Sequence, residues 1–455
     1  MSKMVSTSGE YVVCGLALCL VLCIVPTRTL SQPLAETVPQ TYNVYQPSSV
    51  CLGCHAKICD EQALSHHARS FSNPLFQGQY FEEILPHADT HPALAEEARQ
   101  CIACHSPIDY VVTKGRVTSK DQASPNMSGV TCDFCHTITG YRGDAPGNGN
   151  YISQPSKERK LGPFLHEYNW HHVYSALQTK SEFCGICHND VNHHGLEVKS
   201  TYTEWKQSRY ADNGIQCQDC HMNRIGFLVE GKPVYESGRA ADPRMMWTRT
   251  PYRPILYSHR FPGAHSKTQI VGAGVITVAI ETQRPAVSPG DDVTITVLVD
   301  NSRTGHKMPS GSKELRHLWL EVTAQLGDRV ISIPASSAGV GPYDVTGKGP
   351  DDREILEKDI PEGSRIYRAV FVDEAGKQTL SFYNATRIVF DNRLKASEVR
   401  RETYRFQVPR SAAGTVTLRA SLNYLPYPSS FSRRFGQPKA ERFEVTSGVR
   451  EIPIQ

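Results

Sequence analysis

"CLGCHAKICDEQALSHHARSF", residues 51–71, decides how the rest of the chain is read. Two cysteines stand three apart with a histidine directly after the second. The same C-x-x-C-H pentapeptide returns at Cys101–His105, Cys132–His136, Cys184–His188 and Cys217–His221. With 14 cysteines and 18 histidines in 455 residues, about 0.02 such matches are expected by chance. Five copies are therefore a repeated chemical device.

The spacing suits one chemistry. Two thiols one helical turn apart can add across the two vinyl groups of a haem, and the next residue's imidazole is then held under the iron. The expected cofactor is haem c, five per chain. It would be bound through Cys51 and Cys54, Cys101 and Cys104, Cys132 and Cys135, Cys184 and Cys187, and Cys217 and Cys220. His55, His105, His136, His188 and His221 would be the proximal ligands. Zinc ribbons pair one C-x-x-C with another and need no histidine after each second cysteine. Disulfides would leave the histidines unexplained. Five haems within residues 51–221 leave about 34 residues each, too few for separate pockets, so the porphyrins must form much of the core. The motifs start at 51, 101, 132, 184 and 217; long and short gaps alternate, which suggests haems in close pairs.

The other histidines follow the haem motifs: none lies beyond His317. A low-spin electron-transfer haem needs a second axial ligand, and imidazole is the common choice among packed haems. The doublets His66-His67, His171-His172 and His193-His194 are candidates, with one ring of each able to face an iron while its neighbour, about 100° around a helix, points away. His87 and His91, four apart, fit a solvated helix face equally well. The distal candidates are His67, His171, His172, His194, His259 and His306.

"GVTCDFCHTITGY", "SEFCGICHND", "TYTEWKQSRYADNGIQCQDCHM" and "YSHRFPGAH", together with the opening stretch, resemble the multihaem cytochromes related to cytochrome c-554 and hydroxylamine oxidoreductase. The resemblance spans roughly residues 50–265. It implies distal ligation by His67, in a Ser-x-His-Ala frame, and by His259. "SRYA" at 208–211 keeps that frame but carries Tyr210 where the histidine would be. Either Tyr210 packs beside a haem, or it marks an iron open to a small nitrogen or oxygen compound.

After about Gln269 the pattern alternates: "VITVAIETQ", "VTITVLVD", "LWLEVTAQL", "RIYRAVFV", "TYRFQV", "TVTLRASLNY" and "RFEV", bounded by Gly, Pro and Asp. Period two at these intervals predicts an antiparallel sandwich of seven to nine strands, immunoglobulin-like in topology. The fold class is multidomain. A mainly α or irregular multihaem cytochrome c domain over 32–268 is followed by the all-β sandwich over 269–455. "SRTGHKMPSG", from Ser302, displays His306 in a loop at one end of the sandwich, where it can fold back as a distal ligand or be satisfied by interface hydrogen bonds.

At the N-terminus, Lys3 precedes an apolar run from Tyr11 to Val25, with small residues at Thr29 and Ser31. That is short for a spanning helix and reads as a signal peptide over 1–31, with an uncleaved anchor as its rival. Cys14, Cys19 and Cys23 each follow a bulky apolar residue, which disfavours lipidation. The chain is expected to be exported to the periplasm or beyond, with membrane association left open.

The 49 basic and 46 acidic side chains nearly balance, so no nucleic-acid partner is expected. The function read from the sequence is electron relay through closely packed, mostly bis-histidine haems, with redox proteins, other multihaem cytochromes or a membrane complex as partners. One alternative is an oxidoreductase acting on a small nitrogen compound at a five-coordinate haem near Tyr210; the other is a subunit of a homo-oligomeric haem filament or of a membrane-associated electron-transfer complex. Cys59, the one cysteine after residue 31 outside a motif, is either an intermolecular link or a small buried side chain.

Overall fold

The computed structural model describes residues 41–121, 127–165, 172–242, 250–271, 275–335 and 341–455, and residues 40–455 form one compact unit. The expected signal segment lies outside the described residues. Among the described residues, no helix is long and apolar enough to cross a membrane.

Short helices and two-stranded sheets, one of them parallel, occupy the first half. Each motif lies on a helical turn, which sets its two thiols on one face: α1 (Ser48–Ala63), α2 (Pro92–His105), α3 (Cys132–Cys135), α4 (Ser181–His188) and, past α5 (Thr201–Lys206) and α6 (Arg209–Asp212), α7 (Cys217–His221). Local sequence starts several of these. Pro92 opens α2, where the missing N–H costs nothing. The Thr131 side chain accepts from the Phe134 N–H at α3, and Gln216 and Asp219 form a reciprocal cap at α7. The expected helix through His66 and His67 does not form. α1 ends at Ala63, and the Ser65 hydroxyl, fully buried, donates to the Gln62 carbonyl and accepts from the Ala68 N–H, bending the chain into turns.

The second half is built from long antiparallel strands. β1 (Thr277–Thr282), β2 (Asp292–Asp300) and β6 (Val399–Gln407) form one sheet in the order β1-β2-β6. The second sheet runs β4 (Arg329–Ile333), β3 (His317–Leu326), β7 (Thr415–Leu425), β8 (Phe443–Pro453), with β5 (Arg365–Tyr367) also paired to β3. Alternating Val, Ile and Leu side chains, such as Val293, Ile295, Val297 and Val299 on β2, fill the core shared with β3 and β7. "RIYRAVFV" reads as one strand but splits at Arg368. That guanidinium is fully buried against Asp352 at 2.7 Å, and Ala369–Val372 leaves for a separate three-stranded sheet with Gln378–Thr379 and Arg387–Asp391.

The halves interlock. Ile270 enters the sandwich core, and Leu75 packs in a cluster with Trp319, Ile366 and Phe431. The Asn192 amide donates to the carbonyls of Phe382 and Ala385, both at 2.8 Å, and the Tyr383 hydroxyl donates to Glu83 at 2.7 Å.

Candidate haem-binding site

Among the described residues, a second imidazole faces His188, His136 and His221. The rings of His188 and His67 lie 6.1 Å apart, those of His136 and His259 6.4 Å apart, and those of His221 and His306 6.2 Å apart. Two imidazoles sharing one iron through bonds of about 2 Å would hold their centroids about 6.3 Å apart. The separation alone is not diagnostic: His87 and His91 also stand 6.4 Å apart, but both are exposed on adjoining turns and neither follows a motif.

Hydrogen bonding adds a second criterion. Nδ1 lies against a backbone carbonyl in His55 (Ala240, 2.7 Å), His105 (Ser70, 3.0 Å), His136 (Leu161, 2.5 Å), His259 (Tyr257, 2.9 Å) and His306 (Lys307, 2.9 Å). An Nδ1–H donated to a carbonyl fixes the tautomer in which Nε2 carries the lone pair, as in metal-binding histidines generally. Burial holds His67 down at about 3 and His105, His221 and His259 at about 4, so these rings are neutral at neutral pH. Paired thiols, imidazoles with a bare nitrogen and buried neutral rings together fit covalently bound haem c.

The motifs are not neighbours in chain order. The Cys51 thiol meets that of Cys132, Cys104 meets Cys187, and Cys184 meets Cys217, while Cys135 lies near both Cys184 and Cys187. The first motif thus adjoins the third, the second adjoins the fourth, and the fourth also adjoins the fifth. Cys59 is buried, with its thiol against Cys132, away from any surface where an intermolecular link could form.

The remaining candidates are placed otherwise. His171 lies outside the described residues. His172 spends Nε2 on the Phe164 carbonyl at 2.7 Å. His194 is exposed and packs on His193 at 4.0 Å, and His193 is held by the buried carboxylate of Glu97. His66 turns away from His67 toward His265 at 5.7 Å, on a cavity of about 840 Å³ bordered by Lys57, Glu61, Arg69 and Arg260. At the fifth motif His306 faces His221, and Tyr210 packs beside the loop that carries it. Its hydroxyl donates to the Ser302 carbonyl at 3.0 Å and secures the loop that carries His306. Among the described residues no imidazole faces His105; the Phe76 ring stacks on it at 3.9 Å instead.

Glu204 and Arg393 escape sequence reasoning. Their side chains pair at 2.7 Å, almost wholly buried, between α5 and the sandwich. Nothing in their local sequence marks them, since their meaning arises from contact between distant segments.

A family model described as cytochrome c554 and c-prime matches residues 50–137. The fold is similar to that of a penta-haem cytochrome c552 from Thermochromatium tepidum. That likeness has a TM-score of 0.60 at 19% identity and covers 90% of this chain and 99% of that one. A sporulation control protein from Bacillus subtilis aligns over 40% of this chain and 50% of its own, at 11% identity and a TM-score of 0.17, too low to carry an argument. No curated protein matches the chain.

Proposed function

With a multihaem c-type cytochrome fold in its first half and a β-sandwich in its second, we propose that this chain is a pentahaem electron relay working outside the cytoplasmic membrane. Haem c, when bound, supplies an iron that cycles between ferric and ferrous states. The motif cysteines would attach it, and the motif histidines, with His67, His259 and His306 at three of the sites, would hold it. One observation carries the reading: His67, His259 and His306, from three separate segments, each stand within 6.1–6.4 Å of a motif histidine. Such pairs favour outer-sphere electron transfer, because a haem held between two imidazoles would leave no position for a substrate.

The thiol contacts suggest a route from the first motif through the third and fourth to the fifth, with the second joining at the fourth. Residues 32–268 would form the haem-bearing domain and 269–455 an immunoglobulin-like sandwich, whose strand order β1-β2-β6 and β4-β3-β7-β8 fits that class. Redox proteins or other multihaem cytochromes are the fitting partners, since closely adjoining haem motifs would offer electrons a path.

A second reading, reduction or oxidation of a small nitrogen compound, has one observation in its favour: among the described residues His105 has no facing imidazole. It moves the expected open position from Tyr210 to the second motif. A haem count by pyridine haemochrome and low-temperature EPR of the oxidised protein test both readings. Five haems per chain, with no high-spin ferric signal, support the relay alone. One high-spin haem, lost when His105 is replaced, supports the second reading. High-spin signals from several haems would overturn the bis-histidine relay.

A further inference from the structure

Ligation by His306 requires a loop of the sandwich to be held in register over the haem-bearing half. Two contacts hold its entry: the Ser302 carbonyl accepts from Tyr210 at 3.0 Å and from Arg209 at 2.8 Å, both on α6. Its exit is held by one carboxylate. Glu204, on α5, accepts the backbone N–H of Lys307 at 3.1 Å and the Ser310 hydroxyl at 3.3 Å through Oε2. Through Oε1 it accepts from Ser200 at 2.8 Å and from Arg393 at 2.7 Å.

Arg393 completes the clamp from the other side. It donates to the Pro309 carbonyl at 2.9 Å and to both oxygens of Asp391, which also binds the Lys307 ammonium at 2.8 Å. The peptide units just after His306 are therefore pinned by a buried ion pair that joins the two halves, with side chains 1% and 7% exposed. A buried pair of this kind brings little net stability over apolar packing and makes sense where it fixes geometry.

We infer that Glu204 is a positioning residue for His306, holding its imidazole opposite His221 through the Lys307 N–H and the Arg393 guanidinium. The inference rests on the reading of His306 as a distal ligand. It explains why the two rings lie only 12° from parallel although they come from different halves of the chain. Tyr210 and Arg209 set where the loop begins; Glu204 sets where the ligand stands.

Removing hydrogen-bonded partners around a metal ligand typically weakens metal binding about 10–100-fold. Cyanide titration of the oxidised, haem-loaded protein reads this directly, because cyanide competes for the sixth position. The His306→Ala variant identifies the spectral change that belongs to the fifth motif. In Glu204→Gln, the cyanide concentration that half-displaces the ligand at that haem is expected to fall about 10–100-fold. The other haems should titrate as in the wild type, and without cyanide, added imidazole should restore any lost low-spin signal.

Should Glu204→Gln fail to fold, Glu204→Asp keeps the charge for Arg393 but draws the carboxylate back from the Lys307 N–H, and the same fall is expected. If His306→Ala opens one haem while the folded Glu204 variant titrates like the wild type, the positioning role is overturned and the ligand reading stands. If His306→Ala leaves the ferric spectrum unchanged, the ligand reading itself falls.

Discussion

His67 and His188 stand 6.1 Å apart, one in a turn just after α1 and the other at the end of α4, so the imidazole facing the fourth motif comes from the segment that carries the first. His259 likewise reaches the third motif, and its backbone N–H donates at 2.8 Å to Glu61, a residue of α1. Crossed donation of this kind makes the haem-bearing half cooperative, because the imidazoles facing the third, fourth and fifth motifs all come from distant segments.

The first prediction follows from that crossing. His67→Ala, His259→Ala and His306→Ala should each convert one haem from low-spin to high-spin in low-temperature EPR. His172→Ala and His194→Ala should leave the spectrum as it is, because His172 bonds a carbonyl through Nε2 and His194 lies at the surface. A spin change in His194→Ala would mean that the pairing of rings has been misassigned.

Tyr210→Phe separates a packing role from a ligand-site role. The substitution removes one hydrogen bond to the Ser302 carbonyl, beside Trp205 and Gly305, and should cost about 1 kcal/mol of stability. Thermal unfolding should show that small loss while the EPR spectrum and the affinity for cyanide or nitrite remain those of the wild type. A new high-spin signal at the haem that His306→Ala also opens would mean that Arg209 alone does not hold the loop, and one at any other haem would return Tyr210 to the haem environment.

These contrasts show how far the sequence carries. Five pentapeptides and the alternating runs after Gln269 announce both halves, because thiol spacing and strand periodicity are local properties. "RFEV" marks only the first residues of β8, which extends to Pro453 although its later part is exposed and stops alternating cleanly. The doublet at 193–194 looks as suitable as that at 66–67, and only the approach of distant segments separates them: His67 meets α4, whereas His193 meets Glu97 on α2. The contacts that join the first motif to the third, or Glu204 to Arg393, are non-local and leave no periodic trace.

Asn192 tests how the halves are joined. It is buried with its amide fully used: Nδ2 donates to Phe382 and Ala385, and Oδ1 accepts the N–H groups of His194 and Leu196. Asn192→Ala strands the Ala385 carbonyl and two N–H groups, leaves the Phe382 carbonyl with only the Ala385 N–H, and should cost about 3 kcal/mol. Asn192→Asp keeps the shape but turns two donors into acceptors against carbonyls, and should cost more. Melting curves followed by far-UV circular dichroism should rank the three proteins in that order; equal stability of the aspartate variant would mean that this contact does not hold in solution.

Glu314 gives the chain a dependence on pH whose sign is fixed. It lies 3% exposed on the segment before β3, and Oε2 has no hydrogen-bond partner in the structure. Burial pushes its carboxyl up from 4.5 to about 7, against the opposing pull of Lys199, Arg316 and Lys313. A carboxyl raised on folding stabilises the folded state below its unfolded value, and that contribution is lost as pH rises through the folded one. Stability from this group should therefore fall between about pH 4.5 and pH 7, by about 3 kcal/mol in total. Glu314→Gln cannot ionise, so the difference in unfolding free energy between variant and wild type should grow in the variant's favour across that interval and level off above it. A difference that stays flat from pH 4.5 to pH 8 would show that Glu314 titrates at an ordinary value, with Lys199 or Arg316 drawn close enough to keep it charged.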